Sequence, residues 1–261
     1  MKALIDGDIV LYRACLSVEI RMYTLYNELG EPVACSPRKK DIQEYIDNHP
    51  NGVLTFETYI EEDAYTDAVF NYHSMLKRIL RQTSAKEHAV YFTGGGNFRK
   101  DIYTEYKANR KAKPILYKSL LKYVLKLPHH FLEEGQEADD RLGIEQNNNS
   151  IICTIDKDLL MVKGHHYNFV KDEFTKVTEK EGTKFFYKQI LTGDRVDNIP
   201  GLKGVGDKRA DKILEGLTDE HELYSKVLEA YDGDEETVTR NARLLYIRRE
   251  EDELWQPPKV A

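Results

Sequence analysis

Four groups of acidic side chains are spaced along the sequence in a way that suits metal binding. Each group places its carboxylates within four residues, and the groups are Asp6 with Asp8, Glu137 with Asp139 and Asp140, Asp156 with Asp158, and Asp194 with Asp197. Carboxylates brought into one crevice repel each other and raise each other's pKa, and divalent cations remove that penalty. An oxygen donor set without His or Cys suits Mg²⁺ or Mn²⁺ rather than zinc.

Two such ions, about 3.5–4 Å apart, are the usual arrangement for hydrolysing a phosphodiester bond. Any single group has an ordinary structural explanation, because Asp is common in turns and acids are favoured at helix starts. Four groups at strand ends and helix starts are much harder to explain in that way. The acidic groups therefore predict a two-metal hydrolytic site.

Aromatic and basic side chains alternate between Tyr103 and Lys111. Lys107 and Arg110 are three residues apart, so a helix would place both on one face. Arg clamps a phosphate with two hydrogen bonds, Lys acts as a point charge, and Tyr103 or Tyr106 would suit stacking on an unpaired base. The alternative is a charged helix face in solvent, which we prefer for three further bases: Lys118, Lys122 and Lys126.

A glycine turn, Gly204-Val205-Gly206, follows the fourth acidic group and precedes a predicted helix. The N–H groups of such a turn, with a helix N-terminus behind them, suit a phosphodiester and ignore base sequence. The turn is flanked by three bases: Lys203, Lys208 and Arg209. By itself the pattern fits an ordinary connection between helices equally well.

The elements that must position these groups alternate between strands and helices over the first 170 residues. Two acidic groups directly follow predicted strands, and a third opens a helix that follows a strand. In an open parallel sheet, ligands bind beyond the carboxyl ends of the strands, so these groups would converge. After Lys184 the sequence predicts only helices and turns. We therefore predict an α/β fold with a mostly parallel central sheet, helices on both faces, and a helical C-terminal region.

Hydrophobic periodicity gives the approximate bounds of the elements. Predicted strands include residues 2–8, 52–59, 88–93, 130–132, 150–155 and 166–170, with a hairpin over 23–33. Predicted helices include residues 63–81, 115–127, 137–145, 185–191, 207–214, 221–231 and 235–249. The tail over residues 255–261 is predicted to be loosely held.

Composition limits the function classes. The chain has 261 residues, a net charge of −7 and 32% charged residues, which argues against a simple basic nucleic-acid coat protein. Bases nevertheless dominate between Arg99 and Lys126. We find no apolar run of membrane-spanning length and no signal-peptide pattern, and the three cysteines lack zinc-like spacing. These features predict a cytoplasmic protein without a membrane segment.

Together these residues resemble the 5′-nuclease superfamily, which includes the flap endonucleases and the phage 5′–3′ exonucleases. The resemblance covers residues 2–13 and 88–216 and rests on five segments in a fixed order: Leu4 to Gly7, Tyr106 to Arg110, Glu137 to Asp140, Thr154 to Asp158, and Gly193 to Gly201. The run Asn97-Phe98-Arg99-Lys100 looks most like short phage exonucleases. No polymerase sequence follows, so the chain looks like the stand-alone form.

The resemblance implies a PIN-like core over residues 1–184 and a helical DNA-binding region over residues 185–261. It implies a metal site for two Mg²⁺ or Mn²⁺ ions built from Asp6, Glu137, Asp139, Asp140, Asp156, Asp158, Asp194 and Asp197. A helical arch over about residues 100–126 would carry Tyr106, Lys107 and Arg110, with the last two on the scissile phosphate. A helix–two-turn–helix element over about 190–216 would bind duplex DNA through Lys203, Gly204, Gly206, Lys208 and Arg209, and in several members this hairpin also binds K⁺.

The function implied is that of a 5′–3′ exonuclease or flap endonuclease in DNA replication or repair. Its substrate would be DNA with a free 5′ end or a single-strand/duplex junction, with RNA primers as a further substrate. Asp6, Asp156, Lys107 and Arg110 would carry catalysis in a monomer, located in the host cytoplasm if a phage encodes it. Two alternatives stay open: a structure-specific DNA-binding protein whose catalysis has decayed, and a metal-dependent ribonuclease, against which the glycine turn argues.

One departure from the family pattern affects the metal site. The family usually has an aspartate just after the second strand, whereas here Phe92-Thr93 is followed by Gly94-Gly95-Gly96. Asn97, Asp8 or a water would then take the place of that ligand. We expect a higher metal demand than in a relative with the full set of ligands. The role of residues 18–65, which lie outside the resemblance, is not assigned.

Overall fold

The first predicted strand lies inside a six-stranded sheet in the computed structural model, which describes residues 1–258. The strands in chain order are β1 (Lys2–Asp6), β2 (Glu19–Tyr26), β3 (Pro32–Ser36), β4 (Val53–Ile60), β5 (Glu87–Thr93), β6 (His130–Glu133), β7 (Ser150–Cys153), β8 (Gly164–Asn168), β9 (Glu173–Val177), β10 (Gly193–Asp194) and β11 (Ile199–Pro200).

The described residues also form ten α-helices and two 3₁₀-helices, at Lys39–Ile42 and Asp158–Met161. The α-helices are α1 (Gly7–Leu16), α2 (Gln43–Asn48), α3 (Ala64–Thr83), α4 (Arg99–Ile102), α5 (Tyr117–Val124), α6 (Ala138–Glu145), α7 (Glu179–Thr192), α8 (Asp207–Ile213), α9 (Glu220–Ala230) and α10 (Glu235–Leu245). No helix among these is long and apolar enough to cross a membrane.

The central sheet has the strand order β6-β5-β1-β7-β8-β9. All neighbours are parallel except β8 and β9, which are antiparallel. Residues Ala3 to Ile5 of β1 are fully buried, as expected for an interior strand of a parallel sheet covered on both faces. The predicted mostly parallel sheet is therefore confirmed, while β9 was not predicted because its alternating polar sequence lacks an apolar run.

The described residues divide into two compact units. The first contains Met1–Ile9, Leu76–Ala112 and the chain from Leu125 on, and it includes both the central sheet and the C-terminal helices. The second contains Val10–Met75 and Lys113–Val124, with the antiparallel sheet β3-β2-β4 that includes the predicted hairpin. The boundary predicted at residue 184 falls inside α7, so the functional division at that point stays a prediction.

The C-terminal helices are held by capping and by an aromatic core. Thr178 and Glu181 form a capping box that starts α7, which satisfies its first N–H groups. The ring of Phe186 on α7 lies 5.8 Å from the ring of Trp255, measured between centroids. Trp255 is only 6% exposed, so the predicted loose tail is wrong at this residue. Residues 259–261 of that predicted tail lie outside the described residues.

Two predicted helices differ from the structure. The last one, α10, ends at Leu245 instead of Arg249. The backbone N–H of Arg248 donates to Oδ1 of Asp140 and is therefore not part of the helix. The segment from Thr104 to Asn109 forms turns, and Lys107 has a left-handed φ of 59°. The expected helix presenting Lys107 and Arg110 on one face is therefore wrong.

Candidate metal and nucleic-acid site

Asp6 is the last residue of β1, and its carboxylate is almost completely buried, at 2% exposure. One oxygen, Oδ1, accepts the N–H of Ile9 at 3.1 Å, and Oδ2 accepts the hydroxyl of Thr154 at 2.7 Å. Burial and the charges of Asp8 and Asp156 raise the pKa of Asp6 to about 7. Asp6 is therefore a carboxylate at a strand end, and no salt bridge among residues 1–258 pairs it with a cation.

The next strand in the sheet, β7, is followed by Asp156 and Asp158. The N–H of Asp158 donates to Oδ1 of Asp156 at 2.9 Å, and Gln189 on α7 donates to Oδ1 of Asp158 at 2.6 Å. Burial raises the pKa of Asp158 to about 7, and the negative charges of Asp156 and Asp194 add to this effect. Thr154 and Gln189 were not singled out from the sequence. Thr154 belongs to the Thr154 to Asp158 segment of the family resemblance, whereas no motif in the sequence around Gln189 indicates a role in the site.

The third acidic group surrounds the start of α6. Glu137 is the N-cap residue, and Asp139 lies in the first turn. Burial raises the pKa of Asp139 well above its usual range, and the charges of Asp6, Asp156 and Glu137 add to this effect. These charge interactions mean that the first three acidic groups lie close together, as we predicted from a parallel sheet.

Asp140 has a different setting from its neighbours. It is 0% exposed and forms a two-hydrogen-bond ion pair with Arg99, with N–O distances of 2.6 and 2.8 Å. This pairing lowers the pKa of Asp140, although burial opposes it. The side chain of Asp140 thus already has its countercharge within the protein.

In the fourth acidic group, Asp194 ends β10 and Asp197 lies on the short loop between β10 and β11. Gly193 has a φ of 66°, and a Cβ there would come within 2.2 Å of the Gly201 nitrogen, so the loop closes only with glycine. Oδ1 of Asp194 accepts the N–H groups of Val196 at 2.7 Å and Asp197 at 3.3 Å. The loop therefore holds Asp194 and Asp197 in a fixed arrangement.

The two bases predicted to contact phosphate pair with these carboxylates. The ammonium of Lys107 forms a short ion pair with Oε1 of Glu137 and lies 3.5 Å from Oδ2 of Asp197. The guanidinium of Arg110 lies 2.5 Å from Oδ1 of Asp197. The structure thus brings Lys107 and Arg110 to the acidic groups through turns instead of a helix face.

Tyr106 does not have the setting expected for stacking on an unpaired base. It is 2% exposed, and its hydroxyl donates to Glu137 at 3.3 Å and Asp197 at 3.2 Å. Contact of this ring with DNA is therefore a wrong expectation, because the ring packs in the core. Tyr106 instead supports two carboxylates of the site.

As these side chains stand, no group of three or more His, Cys, Asp and Glu residues within residues 1–258 could hold a metal ion. Lys107 and Arg110 pair with Glu137 and Asp197, while Thr154 and Gln189 bond to Asp6 and Asp158. The donor chemistry still fits a hard divalent cation, because burial and the neighbouring carboxylate charges together raise the pKa of Asp6, Asp139, Asp156 and Asp158.

The glycine turn lies between β11 and α8. Gly204 has a φ of 79°, and the N–H of Val205 donates to the Leu202 carbonyl at 3.0 Å. The predicted contacts at this turn are all exposed: Lys203, Gly204, Gly206, Lys208 and Arg209. Arg209 donates a long hydrogen bond of 3.5 Å to the Gly204 carbonyl. The turn is thus an exposed basic surface of the first unit.

The position of the missing aspartate is occupied by other groups. A Cβ on Gly94 would come within 2.6 Å of the Glu133 carbonyl and 2.7 Å of Oε1 of Glu134. Of the expected replacements, Asn97 donates to Oε1 of Glu137 at 2.6 Å, and Oδ2 of Asp8 accepts the N–H of Thr93 at 3.0 Å. Asn97 therefore touches the carboxylate site directly.

Curated relatives match a large part of this chain. DNA polymerase I of Caldicellulosiruptor bescii is 33% identical over 189 residues, covering 62% of this chain and 22% of the relative. DNA polymerase I of Deinococcus radiodurans is 30% identical over 220 residues, covering 74% of this chain and 22% of the relative. The chain thus spans about a fifth of the length of these relatives.

Solved structures share the fold. The T5 5′-exonuclease with bound divalent zinc ions matches with a TM-score of 0.61 at 16% identity, over 94% of this chain and 89% of that one. The bacteriophage T5 flap endonuclease in a pseudo-enzyme–product complex with DNA and metal ions matches with a TM-score of 0.60 at 16% identity, over 94% and 88%.

A family model described as the 5′-3′ exonuclease, N-terminal resolvase-like domain matches residues 2–190. The match includes the first three acidic groups, Lys107 and Arg110. It also includes residues 18–65, which the sequence motifs left unassigned. The resemblance to the 5′-nuclease superfamily is thereby confirmed, and the chain belongs to the 5′-3′ exonuclease family of N-terminal resolvase-like domains.

Proposed function

We propose that this protein is a metal-dependent 5′-nuclease. It hydrolyses phosphodiester bonds in DNA near a free 5′ end or at a single-strand/duplex junction, in replication or repair. The observation that carries the proposal is the convergence of four separate acidic groups with Lys107 and Arg110 at the carboxyl ends of β1 and β7. Family membership and the fold support it, and the RNA strand of an RNA primer–DNA hybrid is a further proposed substrate.

Seven carboxylates would hold two Mg²⁺ or Mn²⁺ ions: Asp6, Glu137, Asp139, Asp156, Asp158, Asp194 and Asp197. Bound divalent ions supply an attacking water of lowered pKa and stabilise charge on the phosphate and leaving oxygens. The burial of Asp6 and Asp139 favours this role, because their repulsion is relieved only by added positive charge. Asp140, whose countercharge is Arg99, is left out of this set.

Lys107 and Arg110 bind and orient the scissile phosphate. They now neutralise Glu137 and Asp197, and a phosphodiester offers them oxygens of the same charge. Substrate binding would move these cations from carboxylate to phosphate, which frees the carboxylates for metal. The same two residues would therefore pair with Glu137 and Asp197 before substrate binds and with the phosphate afterwards.

The exposed glycine turn binds the phosphate backbone of the duplex. Lys203, Lys208 and Arg209 supply positive charge there, and the N–H groups around Gly204 and Gly206 supply donors that ignore base sequence. K⁺ at the backbone carbonyls of this turn is a further proposal. The fixed loop between Asp194 and Asp197 would then set the distance between duplex contact and cleavage.

A single-turnover assay on 5′-labelled flap, nicked and blunt DNA with Mg²⁺ or Mn²⁺ tests the function. The wild-type protein is expected to release 5′ fragments. Asp156→Asn is expected to lower the rate by about a hundredfold or more, because it removes a carboxylate charge at the metal site, while DNA affinity changes little. The matched control is Asp172→Asn on the loop between β8 and β9, which should retain the wild-type rate.

Full activity of Asp156→Asn, or metal-independent cleavage, would contradict the assignment. DNA binding without cleavage in either metal would support the non-catalytic DNA-binding protein. The only feature in favour of that alternative is the missing carboxylate at Gly94, so we prefer the nuclease.

A further inference from the structure

Asp140 has no free acceptor position left for a metal ion. Its Oδ2 accepts Nη1 of Arg99 at 2.6 Å and the N–H of Glu137 at 3.0 Å. Its Oδ1 accepts Nη2 of Arg99 at 2.8 Å and the N–H of Arg248 at 3.1 Å. A carboxylate has about four lone-pair positions, and all of them are used here. The side chain is also fully buried.

Arg99 joins this carboxylate to the C-terminal end of helix α10. Its Nε donates to the Leu244 carbonyl at 2.8 Å, and Nη2 donates to the Tyr246 carbonyl at 2.7 Å. Carbonyls at a helix C-terminus lack partners within the helix and carry partial negative charge, so a guanidinium is favoured there. The centroid of the Phe98 ring lies 4.6 Å from the guanidinium carbon of Arg99 and 4.0 Å from that of Arg248.

Two routes lead from Arg99 to Glu137. The first runs through Asp140, which accepts the backbone N–H of Glu137. The second runs through Asn97, whose Oδ1 accepts the N–H of Arg99 at 3.0 Å and whose amide donates to Oε1 of Glu137 at 2.6 Å. The backbone of Glu137 is therefore fixed through the side chain of Arg99, and its carboxylate is contacted by Asn97, which accepts the backbone N–H of Arg99.

We propose that Arg99 is a positioning residue of the nuclease site, which sets the carboxylate of Glu137 relative to the end of α10, and that Asp140 transmits this constraint without binding metal. The inference rests on the proposed nuclease function. It assigns the C-terminal helix a part in the geometry of a site formed by the central sheet.

The test combines metal binding with kinetics in variants that keep the shape of the pair. The variants are Asp140→Asn, Arg99→Lys and, as a matched loss of a neighbouring carboxylate, Asp139→Asn. Mn²⁺ stoichiometry is measured by electron paramagnetic resonance on the protein without DNA. Single-turnover rates and KM are then measured on the 5′ flap, and circular dichroism and thermal unfolding establish that each variant is folded.

Asp139→Asn is expected to bind fewer Mn²⁺ ions than the wild type. Asp140→Asn and Arg99→Lys should keep the wild-type stoichiometry, with the rate lowered about 10–100-fold and KM changed little, as is typical when support for a metal site is lost. Asn97→Ala combined with Arg99→Lys should lower the rate by less than the product of the single effects, because both residues act through Glu137.

Loss of a Mn²⁺ ion in Asp140→Asn, to the extent seen in Asp139→Asn, would overturn the proposal by making Asp140 a ligand. Wild-type rates in folded Asp140→Asn and Arg99→Lys would overturn the positioning role. Removing one partner of a buried ion pair is strongly destabilising, so Arg99→Met with Asp140→Leu is the fallback if single variants unfold. If the wild-type protein cleaves no DNA, the proposed function fails, while the Mn²⁺ stoichiometries still decide whether Asp140 is a ligand.

Discussion

Lys107 shows how one residue can have opposite effects on the two ligands of a site. Its ammonium neutralises Glu137 and lies near Asp197, so in the proposed nuclease it would favour binding of phosphate and oppose binding of cations. Its backbone has a left-handed φ of 59°, and its N–H donates a hydrogen bond to the Asp197 carbonyl at 2.9 Å. The backbone and the side chain of Lys107 therefore both depend on the loop that carries Asp197.

Lys107→Met is expected to separate metal affinity from cleavage. Removing the cation should tighten Mn²⁺ binding about tenfold without DNA, because a unit charge in a partly buried site contributes on the order of 1–2 kcal/mol. Cleavage should fall, since the phosphate loses a cationic contact. Isothermal titration with Mn²⁺ measures the first effect and the flap assay the second, with exposed Lys180→Met as the control. Unchanged Mn²⁺ affinity would show that Lys107 does not compete with metal.

A second residue-scale prediction concerns pH and stability. His166 is buried, its Nε2–H donates to the Val162 carbonyl at 2.7 Å, and its Nδ1 has no hydrogen-bond partner among the described residues. Burial lowers the pKa of His166, and the charges of Arg249 and His165 add to this effect. The unfolded chain, with a His pKa of about 6.5, therefore takes up a proton that the folded protein does not.

The free energy of unfolding should thus fall as pH decreases below about 6.5, by up to about 1.4 kcal/mol per pH unit from this residue. His166→Gln cannot titrate and should lack this contribution. Urea unfolding of both proteins at pH 7.5, 6.5 and 5.5 measures the difference, in which the carboxylates common to both cancel. A constant difference across this range would show that His166 is not held neutral.

At the scale of elements, the site consists of strand ends and loops, and hydrogen bonds from other segments hold these loops in place. The loop between β10 and β11 is tied to the turns before it, because Asn198 donates to the Glu105 carbonyl at 2.9 Å and Asn109 donates to Asn198 at 3.1 Å. Asn241 on α10 donates to the Pro200 carbonyl at 2.8 Å. The loop therefore keeps its shape through contacts on both sides.

Gly94→Asp tests how the loop after β5 is packed. The new Cβ would meet the Glu133 carbonyl at 2.6 Å, so we expect a destabilisation of about 1–3 kcal/mol. The adjacent Gly95→Ala is the control, because its Cβ would meet only the end of the Glu134 side chain, at 3.3 Å. Urea unfolding measures both. A Gly94→Asp protein as stable as Gly95→Ala would mean that β6 and its following loop move freely.

Much of the fold followed from local sequence, and the arrangement of the site followed in part. Buried strands such as β5 and β7 were predictable because an interior parallel strand requires a continuous apolar run. The convergence of Asp6, Asp139 and Asp156 followed from the geometry of parallel sheets. The turns around Lys107 and the pairing of Asp140 with Arg99 were not predictable, because they depend on contacts between residues far apart in sequence.

At the scale of the whole molecule, acidic and basic side chains are concentrated in different regions. The chain carries a net charge of −7, and the acidic groups are gathered at one site while exposed bases surround the glycine turn. Binding of a polyanion by an acidic protein then depends on a few local cations. Salt dependence is the natural measure of how many of them contact phosphate.

Replacing Lys203, Lys208 and Arg209 with Ser should flatten the salt dependence of duplex binding. Each lost phosphate contact lowers the slope of log affinity against log salt by about 0.9. Fluorescence anisotropy of metal-free protein with labelled duplex, over a range of KCl concentrations, measures the slope. The control replaces three exposed bases elsewhere: Lys171, Lys176 and Lys180. If the control flattens the slope equally, the glycine turn is not the duplex contact.

The interior place of β1 has a consequence for how the protein is made. β1 pairs with β5, where Lys2 lies beside Glu87, and with β7, where Lys2 lies beside Ser150. During synthesis, this apolar strand leaves the ribosome long before either neighbour exists. The sheet can close around β1 only after Cys153 has been added, and pairing over such distances is slow and exposes apolar surface. Assembly of the proposed nuclease site is therefore a late event in folding, because Asp6 on β1 is made well before the strands that must surround it.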